Sequence, residues 1–426
     1  MRITVVGLGK LGSPIAALYA SVGHTVIGID ISQGAVDAIN AGVAPVNEPQ
    51  LQNLIDAGRE NFSATTNWEI GLQKSEVSVV IVPTPSQDGG TFTNRYVIEA
   101  LSKIGEQYRK GVTAQNHVII VASTVMPGSM AGEIQLALES AAGTSVGSHL
   151  GLVYSPQFIA LGTVIRNLQY PDMILIGQSD SRSGEIAETL LRTVVVSDAT
   201  FQRMSLVNAE IVKLSVNTFV TTKISFANML SEICDEFDGA NIDVVTQAVG
   251  ADSRIGTKYL SGGMGYGGPC FPRDNIALAA LGRSLGVDAS IAVATDLVND
   301  RQVDRLVNRV LSLGTSVKSV HIWGLSYKPD TEVMDASQGI QVANALHAKG
   351  YDVSVHDPQV PQKMIGESPL TWISDLNSEG SPDVIILATP WKEYLELAPK
   401  VTPRVAFIDP WGLASLSEAF AIRPGR

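Results

Sequence analysis

The feature that most constrains the fold is a glycine-rich turn near the N-terminus, GLGKLG at 7–12. A β-branched apolar run at 3–6 precedes it, and a helix-like pattern at 14–22 follows it. In such a strand–turn–helix unit the first glycine permits the tight turn, the second lets a pyrophosphate approach, and the third lets helix pack on strand. The pattern predicts a Rossmann dinucleotide site rather than a purely structural turn. Its predicted cofactor contacts are Gly7, Gly9, Lys10, Leu11 and Gly12.

A second strand-like run at 24–30 ends in an acidic residue, Asp30. Its distance from the glycines is about that of the acid which binds the ribose in dinucleotide folds. A carboxylate there would accept hydrogen bonds from the adenosine ribose and repel a 2′-phosphate. Asp30 therefore predicts NAD rather than NADP.

Further strand-like runs alternate with helical ones, at 77–82, 118–123, 150–154 and 173–176. This alternation is typical of a parallel α/β sheet. Ligands of open α/β sheets bind beyond the carboxyl ends of the strands. Thr84 and Thr124, which follow two of these strands, are placed to contact cofactor or substrate. The alternative is that they only cap strand ends.

A second glycine-rich stretch, GGMGYGGPCFPRD at 262–274, contains Cys270 and Asp274. Glycine permits unusual backbone angles and close approach of other groups, so a shaped loop is expected. If a helix begins near 271–272, Cys270 lies at its N-terminus, where backbone N–H groups and the helix dipole favour the thiolate. A thiolate with a nearby carboxylate predicts covalent catalysis. The alternative is a structural cysteine in the core.

One long helix is predicted at 204–237, because apolar residues recur at helical spacing without glycine or proline. Such a length is typical of a spine between domains, and of a dimer seam. Lys213 and Asn217 are four residues apart, hence on one face, and Glu210 lies one turn earlier. They either form a solvated polar face or place an ammonium and an amide beside Cys270. Cys234 is expected in the core of this helix.

After helical segments at 275–285 and 291–313, the strand–turn–helix pattern returns. Strands are predicted at 319–323, 352–355, 384–388 and 406–408, with a polar loop at 324–331 and a helix at 339–349. This pattern indicates a second, smaller Rossmann-like domain without GxGxxG, able to hold a nucleotide. The predicted domains are 1–202 for NAD binding, 203–313 for the central helices and Cys loop, and 314–426 for the second α/β domain.

The composition of the chain argues against several classes of binding partner. The chain has 426 residues and a formal net charge of −12, which argues against nonspecific nucleic-acid binding. Two cysteines are too few for a disulfide framework or a cysteine-based zinc site, so no metal is expected and a reducing compartment is favoured. The first residues predict a strand instead of a signal peptide, and no apolar run is long enough for a bilayer. We expect a cytoplasmic protein without membrane or nucleic-acid partners.

Taken together, these motifs resemble those of the UDP-glucose/GDP-mannose dehydrogenase family over nearly the whole chain. The matching pieces are GLGKLG (7–12), IGID (27–30), EPQL (48–51), VPTP (82–85), STV (123–125), Lys213 with Asn217, RIG (254–256), GYGGPCFPRD (265–274), GLSYKPDT (324–331) and HDP (356–358). The resemblance implies an NAD domain, a central helical spine that forms a homodimer or larger homo-oligomer, and a C-terminal nucleotide-sugar domain.

The resemblance also implies a two-step, NAD-dependent oxidation of the primary alcohol of a nucleotide-linked hexose to the uronic acid, a precursor for polysaccharide biosynthesis. Cys270 would capture the aldehyde as a thiohemiacetal that becomes a thioester, and water would hydrolyse it. Lys213 and Asn217 would stabilise oxyanions, and Asp274 and Thr124 would position or activate water. Arg254 would reach a substrate across the dimer seam. The implied substrate-binding residues are Phe158, Ile159, Lys213, Asn217, Arg254, Tyr259, Gly267, Phe271, Tyr327 and Lys328.

Four positions depart from the family pattern: Gln157, Leu161, Met173 and Asp335. Gln157 stands where a glutamate commonly serves as the base for thioester hydrolysis, so slow hydrolysis is expected. Leu161 replaces a second acid, Met173 an arginine, and Asp335 an arginine near the cofactor phosphates.

Several alternatives for the substrate and for the function remain. UDP-glucose is the default substrate, with UDP-N-acetylhexosamines and GDP-mannose open. The rivals are a diverged enzyme that stops at the aldehyde, a binding protein without turnover, and a hydroxyacid or 6-phosphogluconate-type dehydrogenase. The last would not explain the Cys loop.

Overall fold

The computed structural model describes residues 1–147, 149–376, 381–415 and 421–426. The chain divides into two compact units, Met1–Leu214 and Ser215–Arg426. Each unit is built around its own β-sheet.

Within its described residues, the first unit contains an eight-stranded sheet in the order β3-β2-β1-β4-β5-β6-β7-β8. The strands are β1 (Arg2–Val6), β2 (Thr25–Ile29), β3 (Phe62–Thr65), β4 (Val77–Val80), β5 (His117–Val121), β6 (Leu150–Tyr154), β7 (Met173–Gln178) and β8 (Thr200–Ser205). The order reverses between β1 and β4, which is the switch point where doubly wound sheets bind ligands.

Helices cover both faces of this sheet. They are α1 (Gly12–Ser21), α2 (Gln33–Ala41), α3 (Leu51–Ala57), α4 (Trp68–Leu72), α5 (Arg95–Arg109), a π-helical turn (Met130–Ile134) that runs into α6 (Gln135–Ala142), α7 (Val164–Gln169) and α8 (Ser181–Arg192). Successive residues of a strand point to opposite faces, so Val5 packs in the core layer with Leu18 of α1, and Val6 in the layer with Leu101 of α5.

The sheet departs from the predicted all-parallel arrangement at one place. β6 and β7 are antiparallel, with Tyr154 opposite Gly177. The apolar pattern alone does not encode strand direction, because a strand buried on both faces looks the same either way. Two further strands, β3 and β8, were not predicted from the sequence. β8 is mostly exposed and polar, and therefore lacks the buried apolar run used to recognise strands.

The second unit begins within a long helix, α9 (Leu206–Cys234), and continues with α10 (Ile242–Gly250), α11 (Phe271–Leu285) and α12 (Ser290–Leu311). The predicted long helix was too long at both ends. Met204 and Ser205 instead pair with Gly177 and Gln178 as the end of β8, so sheet hydrogen bonds outcompete helix extension there. Cys234 is buried, as expected, and the helix ends at this residue.

The second sheet has six strands among the described residues, in the order β11-β10-β9-β12-β13-β14. They are β9 (Ser319–Trp323), β10 (Asp352–His356), β11 (Thr371–Trp372), β12 (Val384–Leu387), β13 (Ala406–Ile408) and β14 (Ala421–Ile422), with helices α13 (Gln338–Ala348) and α14 (Lys392–Leu397) and short 3-10 turns at Gln362–Ile365 and Ala398–Lys400. All its pairings are parallel. The predicted α/β character of both sheets and the helical middle of the chain are confirmed.

Among the described residues, no helix is both long and apolar enough to cross a membrane.

Candidate active site

The first glycine-rich turn is shaped by two close backbone approaches. Gly7 has φ +95°, and a Cβ there would lie 2.2 Å from the carbonyl oxygen of Ile81. A Cβ on Gly12, the first residue of α1, would lie 1.8 Å from the carbonyl oxygen of Gly7. These two glycines are therefore required by the protein's own packing.

Gly9 differs, because a Cβ at this position would meet no protein atom within 4 Å. The fold itself does not require glycine there, whereas a pyrophosphate approaching the turn does. Lys10 beside it is exposed, and Leu11 is half-buried. The turn thus fits a dinucleotide.

Asp30 follows β2 directly and braces the same turn. Its Oδ2 accepts a hydrogen bond of 2.6 Å from the backbone N–H of Leu8, and its Oδ1 accepts one of 2.7 Å from Ser32. Each oxygen keeps a further lone pair, and the residue is half-buried. The carboxylate is thus fixed in orientation while retaining capacity for ribose hydroxyls.

Thr84 and Thr124 come together at the ends of β4 and β5. The Thr84 hydroxyl donates to the carbonyl oxygen of Thr124 at 2.7 Å, and Thr84 is buried. This bond ties two strand-end loops to each other. This is the strand-end role that the alternative interpretation of Thr84 predicted. Thr124 is half-buried.

The loop that follows β6 carries three of the predicted site residues, Gln157, Phe158 and Ile159, all half-buried. Lys213 donates to the carbonyl oxygen of Gln157 at 3.0 Å, and its Nζ lies 4.4 Å from the centre of the Phe158 ring. Lys213 is only 7% exposed, which excludes the solvated-face interpretation. The Gln157 side chain donates to the carbonyl of Ser155.

Two buried glutamates of this unit accept hydrogen bonds from backbone N–H groups of distant loops. Glu48, of the EPQL motif, accepts hydrogen bonds from the N–H groups of Gly162 (3.0 Å) and Val164 (2.7 Å), and so fixes the far end of the loop after β6. Glu210 accepts from Gly128 and Met130, and its burial raises the pKa of its carboxyl. Neither contact has a local sequence signal, because the partners are distant in the chain.

The four positions that depart from the family pattern are Gln157, Leu161, Met173 and Asp335. Gln157 lines a small apolar cavity in the core of the first unit, and Leu161 packs against the same core. Met173 is the first residue of β7. Asp335 uses its carbonyl oxygen to accept a 2.8 Å hydrogen bond from Gly268.

In the second unit, Cys270 directly precedes α11 and is exposed, so it is not the buried structural cysteine of the alternative interpretation. The backbone N–H of Asp274 donates to the Cys270 carbonyl at 2.8 Å and closes the first helical turn. Asp274 is 2% exposed, and its Oδ2 accepts a 2.6 Å hydrogen bond from Nδ2 of Asn217. A carboxylate and an amide are thus paired one helical turn after the residue that carries the thiol.

The Gly loop before Cys270 packs against the segment between β9 and α13. A Cβ on Gly267 would lie 2.5 Å from the carbonyl oxygen of Ala336, and one on Gly268 would lie 2.6 Å from the Tyr327 ring. Burial, and then the negative charges of Cys270 and Asp335, raise the pKa of Tyr327 to about 12. Lys328 places its Nζ 6.0 Å from the Tyr327 ring centre.

Three more predicted substrate residues lie in the second unit, and one of them, Phe271, is the first residue of α11. Phe271 makes edge-to-face contacts with Tyr259 (6.5 Å) and Tyr266 (6.3 Å between ring centres). Tyr259 has φ +61° and is exposed. Arg254 is exposed and pairs with Asp252 at 2.6 Å. The exposed guanidinium is therefore held in place from its own loop.

The turn after β9 in the second sheet has the same close backbone approach as the turn after β1 in the first sheet, with one difference at the acidic residue. A Cβ on Gly339 would lie 2.3 Å from the carbonyl oxygen of Gly324, as for Gly12 and Gly7. Asp357 takes the place of Asp30 after the second strand of this unit's turn, but its oxygens are already engaged. They accept hydrogen bonds from the Ser326 hydroxyl, the Trp391 indole and the backbone N–H groups of Leu325, Ser326, Gln359 and Val360. This buried carboxylate is consumed by its own loops and is not a ribose ligand.

Comparison with known proteins identifies the family of the chain. Three domains of the UDP-glucose/GDP-mannose dehydrogenase family match the chain: the NAD-binding domain at 1–195, the central domain at 207–301 and the UDP-binding domain at 321–413. UDP-glucose 6-dehydrogenase of Haloferax volcanii is 31% identical over 404 residues, which cover 93% of each chain. The chain belongs to the UDP-glucose/GDP-mannose dehydrogenase family.

The relatives of the chain are named for more than one nucleotide sugar. GDP-mannose 6-dehydrogenase of Pseudomonas syringae pv. tomato is 31% identical over 427 residues, covering 96% of this chain and 95% of its own. The solved UDP-glucose dehydrogenase of Pyrobaculum islandicum has a TM-score of 0.87 at 30% identity, covering 99% of this chain and 96% of its own. The protein is therefore an NAD-dependent nucleotide-sugar 6-dehydrogenase, and the comparisons leave its sugar and base open.

Sequence reasoning missed the groups that hold the site. Tyr266, Asn275, Asp296 and Asn299 form a largely buried hydrogen-bonded cluster that joins the chain before Cys270 to the chain after it. No motif or spacing in the sequence distinguishes Asn275 of α11, or Asp296 and Asn299 of α12, from other polar helix residues. Tyr266 lies within the recognised Gly loop, which was the available signal.

Proposed function

We propose that the protein oxidises a UDP-hexose, UDP-glucose by default, to the UDP-uronic acid through a covalent intermediate on Cys270. The observation that carries this proposal is the exposed Cys270 at the start of α11, with the Asn217–Asp274 pair one turn along. A thiol next to a helix N-terminus is a suitable nucleophile, and the pair supplies an amide donor and a carboxylate.

The chemistry balances over two oxidations. NAD⁺ held by the first unit would supply the hydride acceptor for each oxidation, so two NAD⁺ are reduced per sugar. The alcohol loses a hydride and a proton to give the aldehyde, and the Cys270 sulfur adds to the carbonyl carbon to form a thiohemiacetal. Loss of a second hydride and proton gives the thioester, and water then breaks the carbon–sulfur bond to release the acid and the thiol.

The chain's own residues orient these steps. Asn217 donates to the oxygen that becomes negative as the sulfur adds, and Asp274 keeps the amide turned toward it. For Lys213 and Thr124 we propose, from the family resemblance, an oxyanion donor and a water-positioning hydroxyl. Gly7, Gly9, Gly12, Asp30 and Thr84 would hold the cofactor.

For the nucleotide sugar we propose binding by the segment around Tyr327 and Lys328, with Phe271 and Tyr259 beside it. This segment packs directly on Gly267 and Gly268, and so joins the nucleotide site to the Cys270 loop. Phe158 and Ile159 are proposed from the resemblance. The domain boundaries 1–202, 203–313 and 314–426 stay predictions.

We also propose a homodimer, with Arg254 reaching the partner's substrate. Phe219, Phe226 and Ile233 recur every seventh residue of α9 and are 68%, 45% and 49% exposed. Large apolar side chains in one row on a helix are typical of an interface. Light scattering of the native protein and of Phe226→Glu tests the dimer, and a monomeric native protein would contradict it.

We also propose that the protein works in the cytoplasm, because a reducing compartment keeps a catalytic thiol in its reduced form.

The deciding experiment measures NADH absorbance with a panel of UDP- and GDP-sugars. We expect two NADH per sugar with a UDP-hexose, and loss of acid formation in Cys270→Ala while NAD binding persists. Turnover of Cys270→Ala near the native rate would contradict the covalent mechanism. One NADH per sugar would instead support the diverged enzyme that stops at the aldehyde.

A further inference from the structure

Cys270 lies within a segment whose two ends are hydrogen-bonded to each other. Tyr266 precedes it by four residues, and Asn275 follows it by five. Asn275 Nδ2 donates to the Tyr266 hydroxyl at 2.9 Å, and that hydroxyl donates in turn to Asp296 of α12. The chain therefore closes on itself around the thiol.

The backbone of Tyr266 is held as firmly as its side chain. Oδ1 of Asn299 accepts from the Tyr266 N–H at 2.7 Å, and its Nδ2 donates to the Tyr266 carbonyl at 3.0 Å. Asn228 repeats this arrangement upstream, accepting from Gly263 N–H (2.9 Å) and donating to the Met264 carbonyl (3.2 Å). A side-chain amide offers the same donor and acceptor as a peptide group, so these asparagines replace a strand partner.

Asn275 anchors the other end. It is fully buried, and its Nδ2 also donates to Asp296 at 2.9 Å. Its Oδ1 accepts from the Thr221 hydroxyl of α9 at 3.1 Å. Helices α9, α11 and α12 thus meet at one side chain. A hydrogen-bonded network of largely buried polar side chains rigidifies the segments that it joins.

The segment needs such anchors because of its composition. Gly267, Gly268 and Pro269 separate Tyr266 from Cys270, and glycine loses more conformational freedom on ordering than any other residue. Without external bonds the two glycines would let the thiol sample many positions. The bonds from Asn275 and Asn299 to Tyr266, and the bond from the Gly268 N–H to the Asp335 carbonyl, restrict that freedom from both sides of the glycines.

We infer that Tyr266 and Asn275 are positioning residues for the Cys270 thiol, acting through the hydrogen bond between them and supported by Asp296 and Asn299. The inference rests on the proposed function, since the position of the thiol matters for turnover only if Cys270 is the nucleophile. A misplacement on the order of 1 Å costs a reacting group up to ~10²-fold in rate.

The test is Tyr266→Phe, which removes the hydroxyl and keeps the ring against Phe271. We expect kcat to fall by about tenfold with KM for both substrates within about twofold, because the loss is one of geometry and not of binding. The iodoacetamide alkylation rate of Cys270 at fixed pH should change by at least about threefold. Peptide mass spectrometry separates it from Cys234, which is buried.

A matched control separates positioning from general stability. Thr222 of α9 meets Thr295 of α12 at 3.2 Å between hydroxyls and contacts no residue of 266–275 in the described contacts. Thr222→Val should lower the melting temperature without changing kcat or alkylation. Asn299→Asp, which keeps the acceptor and loses the donor, should reproduce the kcat loss if Tyr266→Phe folds poorly.

Two results would overturn the inference: native kcat and alkylation in both Tyr266→Phe and Asn299→Asp, or a kcat loss in Thr222→Val as large as theirs. Failure of the proposed function looks different, because Cys270→Ala would then retain turnover. The alkylation rate would still report whether the Tyr266–Asn275 bond holds the loop.

Discussion

Asn217 donates a hydrogen bond of 2.6 Å from its Nδ2 to Oδ2 of the buried Asp274. The bond joins α9 to the first turn of α11, directly behind Cys270. It fixes the amide's orientation and leaves its second N–H to point elsewhere. An amide held in this way is a preorganised donor, which is the form in which hydrogen bonds contribute most to catalysis.

Asn217→Ala should therefore lower kcat by ~10²-fold, typical for removal of one oxyanion donor, while NAD binding stays native. The measurement is steady-state NADH production together with NAD titration by fluorescence. Thr222→Val on the same helix serves as the control. A kcat within about twofold of native would remove Asn217 from the chemistry.

Gly9 and Gly12 should respond in opposite ways to the same substitution. Gly9→Ala adds a Cβ with no protein atom within 4 Å, whereas on Gly12 it would lie 1.8 Å from the Gly7 carbonyl. We expect Gly9→Ala to fold normally and bind NAD at least about tenfold more weakly. Gly12→Ala should lose thermal stability. Equal melting temperatures for the two variants would contradict this division of roles.

Asp30 should determine cofactor choice. Asp30→Asn removes the charge that would meet a 2′-phosphate, and its single amide oxygen can still accept from one of the two N–H groups, of Leu8 and Ser32, that the carboxylate oxygens serve. The ratio of kcat/KM for NAD over NADP should fall by about tenfold or more. A native protein that prefers NADP would refute the assignment.

His117 gives a pH dependence of stability. Burial lowers the pKa of its imidazole to about 4, and the neutral ring bonds Ser78 and the Ser75 carbonyl. The unfolded chain therefore binds more protons between pH 6.5 and 4, so this stabilisation is present above pH 6.5 and lost as pH falls toward 4. The loss is on the order of 3 kcal/mol.

Denaturant unfolding at several pH values measures the His117 effect. His117→Gln should flatten the dependence in this range, and His149→Gln, at an exposed histidine, should leave it unchanged. An equally steep dependence in His117→Gln would exclude this residue as its source.

The sequence predicted those parts of the molecule that depend on local patterns. The turn at Gly7 and Gly12 and the helix start after Cys270 were predicted because glycine, proline and apolar periodicity act over a few residues. The direction of β7 and the bonds from Asn299 to Tyr266 were not. They depend on which distant segments meet, and an isolated asparagine in a helix carries no sign of its partner.

Gln157 carries the last prediction. It stands where family members commonly have a glutamate, and an amide can orient water by hydrogen bonding but cannot accept its proton. If the other groups act as proposed, both oxidations proceed and the acyl-enzyme accumulates. We expect a burst of about two NADH per site followed by slow turnover.

Mass spectrometry of the reacting protein should then find an acyl adduct on the peptide that contains Cys270. Gln157→Glu should speed the slow phase by ~10-fold or more, given typical general-base contributions. Gln157→Leu is the matched control, since it removes the hydrogen-bonding amide without adding a base, and it should slow the phase further. If Asp274 already serves as the base, there is no burst or adduct and Gln157→Glu is neutral or harmful, which rejects slow hydrolysis while the dehydrogenase activity stands.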